Sequence, residues 1–126
     1  MKLQLIDGEF AVCQIPDASC VNMKDDFFFL SRTDEELSLV CRAASVPANR
    51  IVCETGWRMM RVAGVLDFSL TGILSGLSGT LAEARVGIFA VSTYNTDYIL
   101  VKAADLPLAQ ESLRAAGHIF IEGSEV

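Results

Sequence analysis

The run from Val62 to Lys102 constrains the fold more than any other part of the chain. Residues 61–66 are apolar enough for a buried strand, and Asp67-Phe68-Ser69 follows as a turn able to cap a helix. Leu70, Ile73, Leu74, Leu77 and Leu81 then recur at i, i+3, i+4, i+7 and i+11, one apolar stripe at the helical period. Residues 86–91 and 98–102 read as two more strands, separated by the polar turn Ser92-Thr93-Tyr94-Asn95-Thr96-Asp97. Gly76 and Gly79 sit inside the helical pattern, where each costs roughly 1 kcal/mol against alanine. Close packing against another element would give them a reason to be there.

On the C-terminal side, Asp105 caps a last helix, and Pro107 is tolerated in its first turn. Leu106, Ala109, Leu113 and Ala116 form its inner face, Gly117 suits the position after its end, and 118–121 is a closing strand. On the N-terminal side, 3–6 and 10–15 are short apolar runs about Asp7-Gly8, the signature of a hairpin. Residues 16–26 read as a loop, and 27–31 as a strand buried on both faces. Thr33-Asp34-Glu35-Glu36 has capping-box spacing, with Leu37, Val40, Cys41 and Ala44 behind it, which predicts a helix ending by Pro47. Residues 51–54 are a short strand that Thr55-Gly56 breaks. The expected fold is α+β: two ferredoxin-like subdomains with antiparallel sheets and helices on one face. Residues 1–58 carry ββαβ, lacking one helix, and 59–126 carry βαββαβ. Sixty residues bury little core, so the two should pack together, and a homodimer that extends the sheets is expected.

Composition narrows the function classes. With 52% hydrophobic and 21% charged residues in 126, the chain is a packed globular one. Its net charge of −6 argues against nucleic acid or an anionic membrane surface as partner. No apolar run is long enough for a signal peptide or a membrane span, so the expected location is cytoplasmic. Cys13, Cys20, Cys41 and Cys53 form no Cys-x-x-Cys pair, and there is one histidine, His118, so no metal site is expected. The cysteines read as reduced, mostly small core residues. No nucleophile elbow, paired-carboxylate motif or phosphate loop is present, so no catalytic residue and no cofactor is assigned.

The run Leu70-Thr71-Gly72-Ile73-Leu74, with residues 87–101, closely resembles one branch of the ACT domains, small regulatory modules that bind amino acids. That branch includes stand-alone bacterial tandem pairs and half-units of the cytosolic arginine sensors, and is akin to the regulatory pairs of aspartate kinases. Residues 34–40 look like the first-half helix of that branch, and the resemblance covers 27–117. It implies two ACT-type subdomains and a ligand site at the seam between them. Thr93, Tyr94 and Asp97 match the ligand-facing turn, and Ser38 and Leu39 match the first-unit helix start across from it. The segment holding Asp67, Ser69, Thr71, Gly72 and Ile73 matches the loop before the first ACT helix. The family leaves the ligand open, and some of its units serve only in assembly.

An amino acid presents a carboxylate, an ammonium and a side chain. Amides at the start of the central helix suit the carboxylate, and Gly72 would let it approach the backbone. Asp97, with Asp67 behind it, suits the ammonium, and Tyr94 could cover the remainder. Each has a plainer role. Asp97 can end a hairpin turn, Asp67 and Ser69 can cap a helix, Gly72 can serve helix packing, and Thr93 and Tyr94 can pair at a sheet edge. The expected function is a non-enzymatic amino-acid-binding regulatory module. The alternative is a structural, dimerising module that binds a protein partner and no metabolite.

Overall fold

The computed structural model describes residues 1–64 and 72–121. Seven strands and two helices follow in the order β1 (Lys2–Gln14), β2 (Phe28–Arg32), β3 (Leu37–Arg42), β4 (Val52–Val62), α1 (Ile73–Glu83), β5 (Ile88–Ser92), β6 (Asp97–Lys102), α2 (Leu106–Ala115) and β7 (Ile119–Ile121). One-turn 3-10 helices at Ala43–Ser45 and Ala103–Asp105 follow β3 and β6. The chain forms two compact units, Gly8–Trp57 and Met1–Asp7 with Arg58–Val126. Residues 1–7 therefore group with the C-terminal part of the chain.

The C-terminal unit reads βαββαβ from β4 to β7. Its strands lie in the order β7, β1, β4, β6, β5, a ferredoxin-like order into which the start of β1 has been inserted. β1 runs parallel to β7, with Lys2 opposite Ile119, and β6 is antiparallel to β5. The helical stripe buries Leu77 and Leu81 completely, and α2 adds Leu106, Ala109 and Leu113. These close over Leu3, Met60, Val62, Val86, Ile99 and Val101. Both helices end in the same two-bond cap. His118 N–H reaches the Leu113 carbonyl and Gly117 N–H that of Arg114; Val86 N–H reaches Leu81 and Arg85 N–H reaches Ala82. Gly117 takes the left-handed backbone this cap needs (φ 98°), whereas at α1 a non-glycine residue, Arg85, adopts it (φ 62°). A Cβ placed on Gly76 or Gly79 would meet nothing within 4 Å, so close packing is not the reason for these glycines.

In the unit Gly8–Trp57 the strand order is β2, β3, β1, β4, again ferredoxin-like but without either helix. The loop after β1 replaces the first helix, as expected. The helix expected from Thr33 is absent too, because 37–42 is strand β3, paired with both β1 and β2. The Thr33 hydroxyl does accept from the Glu35 and Glu36 amides as a cap would, yet those bonds close a β-turn. Leu39, Val40 and Cys41 are buried in succession, which a strand covered on both faces allows and a one-sided helix does not. Two expected breaks are absent as well. Asp7-Gly8 and Thr55-Gly56 lie inside continuous strands, where Gly8 (φ 92°) and Gly56 (φ 81°) bend the backbone instead of reversing it.

The core of this unit is Ala11, Cys13, Ile15, Leu37, Leu39 and Cys41, with Val21, Phe28, Val46 and Cys53 against it. A polar clamp stands beside it. The Arg42 guanidinium lies 5.4 Å from the Phe10 ring centroid and 5.3 Å from that of Phe27, and pairs with Asp25 at 3.3 Å. Burial works to raise the Asp25 carboxyl. Hydrogen bonds from the Phe27 amide, the Ser45 hydroxyl and Arg42 outweigh it, so the group sits below the ordinary carboxylate range.

Candidate functional site

The 93–96 turn is built from its own side chains. Thr93 N–H donates to the Thr96 carbonyl at 2.9 Å, the Thr93 hydroxyl donates to the same carbonyl at 3.0 Å, and the Ser92 hydroxyl donates to Asp97 Oδ1 at 2.7 Å. The side chain of Thr96 points inward, and its hydroxyl donates to the Val62 carbonyl at 2.7 Å. Thr96 therefore fixes the turn to the end of β4, beside the point where the chain leaves for α1. Nothing in the local sequence separates Thr96 from ordinary turn chemistry.

Asp97 is half-buried, with one oxygen engaged by Ser92. A carboxylate accepts several hydrogen bonds, so capacity for a cationic donor remains. Tyr94 stands 79% exposed at the tip of the turn, and Thr93 is exposed beside it. Gly72 precedes α1 in the left-handed conformation (φ 80°), with open space where a Cβ would stand. Gly76 N–H, bonded to the Gly72 carbonyl at 2.8 Å, is the first amide in the helical pattern, so those of 73–75 belong to the end of the helix that attracts anions. Asp67, Ser69 and Thr71 lie outside the described residues.

Ser38 and Leu39, expected at a helix start, are residues of strand β3 in the other unit. Ser38 donates to Glu36 Oε1, and Leu39 is 1% exposed within the core of that unit. Arg58 is half-buried, and its Nε is shielded from solvent without a hydrogen-bond partner among the described residues. No group of three or more His, Cys, Asp or Glu is placed to hold a metal ion among the described residues. No described helix is long and apolar enough to cross a membrane.

A family profile described as an ACT domain matches residues 52–115, half of the chain. The chain belongs to the ACT domain family. A second profile, of an N-terminal domain, matches residues 8–49. The human cytosolic arginine sensor for mTORC1 subunit 1 is 32% identical over 82 residues, which is 60% of this ACT protein and 25% of the sensor. The chain thus spans about a quarter of the length of that relative. A crystal structure of a protein from Agobacterium tumefaciens matches with a TM-score of 0.82 and 30% identity, covering 96% of this chain and 92% of the other. The regulatory subunit of aspartate kinase from Thermus thermophilus matches at 0.64 over 91% of this chain and 96% of its own. At 8% identity, that likeness is one of fold.

Proposed function

We propose that this ACT protein is a non-enzymatic, cytoplasmic regulatory module that binds an amino acid and acts as a homodimer. The observation that carries the reading is the turn before β6. A half-buried carboxylate, Asp97, is held in place by Ser92, and Thr96 anchors the whole turn beside the exit of β4. Asp97 takes the ligand's ammonium and the first-turn amides of α1 take its carboxylate, with Thr93, Tyr94, Gly72 and Ile73 around them and Asp67, Ser69 and Thr71 completing the set. Kinship with a cytosolic arginine sensor supports the amino-acid class. Ligand binding shifts an equilibrium between arrangements of the chain, and a partner reads the shift.

A thermal-shift screen against the twenty amino acids tests this. A ligand at a hundred times its dissociation constant adds ~2.7 kcal/mol, on the order of 10 °C for a domain of this size. Asp97→Ala should abolish the shift while leaving the unliganded melting point near its original value. Unchanged affinity in Asp97→Ala would place the ligand elsewhere. A flat screen would favour the second reading, an assembly module with no metabolite. Its support is that β2 and β5 end their strand orders and each leaves one side open to pairing with another chain.

A further inference from the structure

Three of the four cysteines converge in the unit Gly8–Trp57. Cys13 on β1 and Cys41 on β3 are each 3% exposed, and Cys53 on β4 packs against the same apolar core while remaining partly open to solvent. The Cys13 thiol donates to Cys53 Sγ at 3.0 Å, about an ångström beyond the ~2.05 Å of an S–S bond. Cys41 belongs to the same buried cluster as Cys13. Cys20 differs: it is exposed, and its sulfur contacts the Ser19 hydroxyl at 3.9 Å.

We propose that Cys13 and Cys53 are an oxidisable dithiol whose substrate is a hydroperoxide. Cys53 is the sulfur that meets the peroxide, and Cys13 is the sulfur that resolves it. In the first step the Cys53 thiolate attacks the distal peroxide oxygen. The O–O bond breaks, water or an alcohol leaves, and Cys53 becomes a sulfenic acid. In the second step Cys13 Sγ attacks the Cys53 sulfur. The S–S bond forms, the S–O bond breaks, and the departing hydroxide takes the Cys13 proton and leaves as water. Two thiols and one hydroperoxide give one disulfide, one water and one water or alcohol. Burial, and then the neighbouring Cys53, push the Cys13 thiol well above its ordinary range, so it keeps its proton until that second step. Cys53, the one of the three that solvent reaches, is the natural first contact. The product ties β1 to β4 within one unit and closes a loop between residues 13 and 53.

The test is oxidation of the whole chain with hydrogen peroxide, followed by alkylation, trypsin and mass spectrometry. Cys13 and Cys20 share the tryptic fragment 3–24, Cys53 lies in 51–58 and Cys41 in 33–42. The Cys20→Ser protein is therefore the reference. Most of its chains should lose two hydrogen masses, with 3–24 joined to 51–58, and dithiothreitol should reverse the change. Cys53→Ser removes a half-exposed thiol and should fold, as circular dichroism can check, but should give no such link. Peroxide that adds oxygen to Cys53 of the Cys20→Ser protein without linking it, or that leaves both thiols open to alkylation after unfolding, would overturn the proposal.

Discussion

The two units contain the same hairpin with different sequels. β2–β3 and β5–β6 superimpose in sequence at a spacing of sixty, Phe28 falling on Ile88 and Arg42 on Lys102. Their registers agree, with Phe28 opposite Cys41 and Ile88 opposite Val101, and Arg32 opposite Leu37 and Ser92 opposite Asp97. Each turn closes with a threonine amide on a carbonyl three residues on, at 2.9 Å in both. A 3-10 turn follows each, and then a proline at the same place, Pro47 and Pro107. Beyond this point they part. Val46 is extended, as a residue before proline prefers, and only four residues separate Pro47 from β4. Leu106 is helical, Pro107 fits the first turn, and Leu108, Ala109, Gln110 and Glu111 are good helix formers. A hairpin is thus decided by its own residues, whereas the helix after it depends on what the next dozen residues offer.

The difference in sequel makes a difference in core. In the C-terminal unit, five of the fully packed side chains come from helices: Leu77, Leu81, Leu106, Ala109 and Leu113. In the other unit, loop side chains such as Val21, thiols and the Arg42 clamp fill that role. The largest expected effect follows. Leu81→Ala should cost about 3 kcal/mol, within the range for a fully buried leucine. Val21→Ala, at a partly buried loop position, should cost about 1 kcal/mol. Urea unfolding of both variants compares them, and equal losses would mean that helix-borne packing counts for no more than loop cover.

The turns differ in one buried group. The residue at the fourth turn position is Thr96 in one hairpin and exposed Glu36 in the other. Thr96→Val keeps the shape but removes the donor to the Val62 carbonyl, and should cost roughly 1–3 kcal/mol. Glu36→Val should stay within about 0.5 kcal/mol of the parent. Denaturation midpoints decide this. If amino-acid binding is at this turn, Thr96→Val should also weaken it, and Glu36→Val should not.

How much of this could be read from sequence follows from the same comparison. The family was recognisable because the 92–101 run is specific and carries a strand on each side. α1 and α2 lie close to where periodicity put them, because each turns one apolar stripe inward, and β5, β6 and β7 lie close to the apolar runs that polar turns bound. β3 was misread because Thr33 and Glu36 have the spacing of a helix cap, and six residues buried on both faces carry no period that separates strand from helix. The hairpin expected at Gly8 failed for another reason: a left-handed glycine can bend a strand as well as reverse it, and pairing partners far along the chain decide which. At the candidate site, Asp97 and Thr93 could be picked out as polar turn residues. Thr96 could not, because its inward direction depends on β4, more than thirty residues upstream. The thiol cluster is equally non-local, assembled from three strands with no motif between them.

The smallest effect expected is one of pH, and it separates the units by their polar contacts. Asp25 is specific to the unit without helices, where its carboxyl joins the loop to Arg42 and Ser45. Its folded value lies below the unfolded one of ~3.9, so the folded state binds fewer protons there. The contribution of Asp25 is therefore complete above about pH 4 and is lost as pH falls through the folded value. Asp25→Asn cannot ionise and should lack that contribution throughout. Unfolding midpoints measured for parent and variant from pH 7 downward should differ at neutral pH and converge in acid. A gap that persists unchanged to the lowest pH would mean that Asp25 holds the loop by shape alone, and that charge has no part in replacing the missing helices.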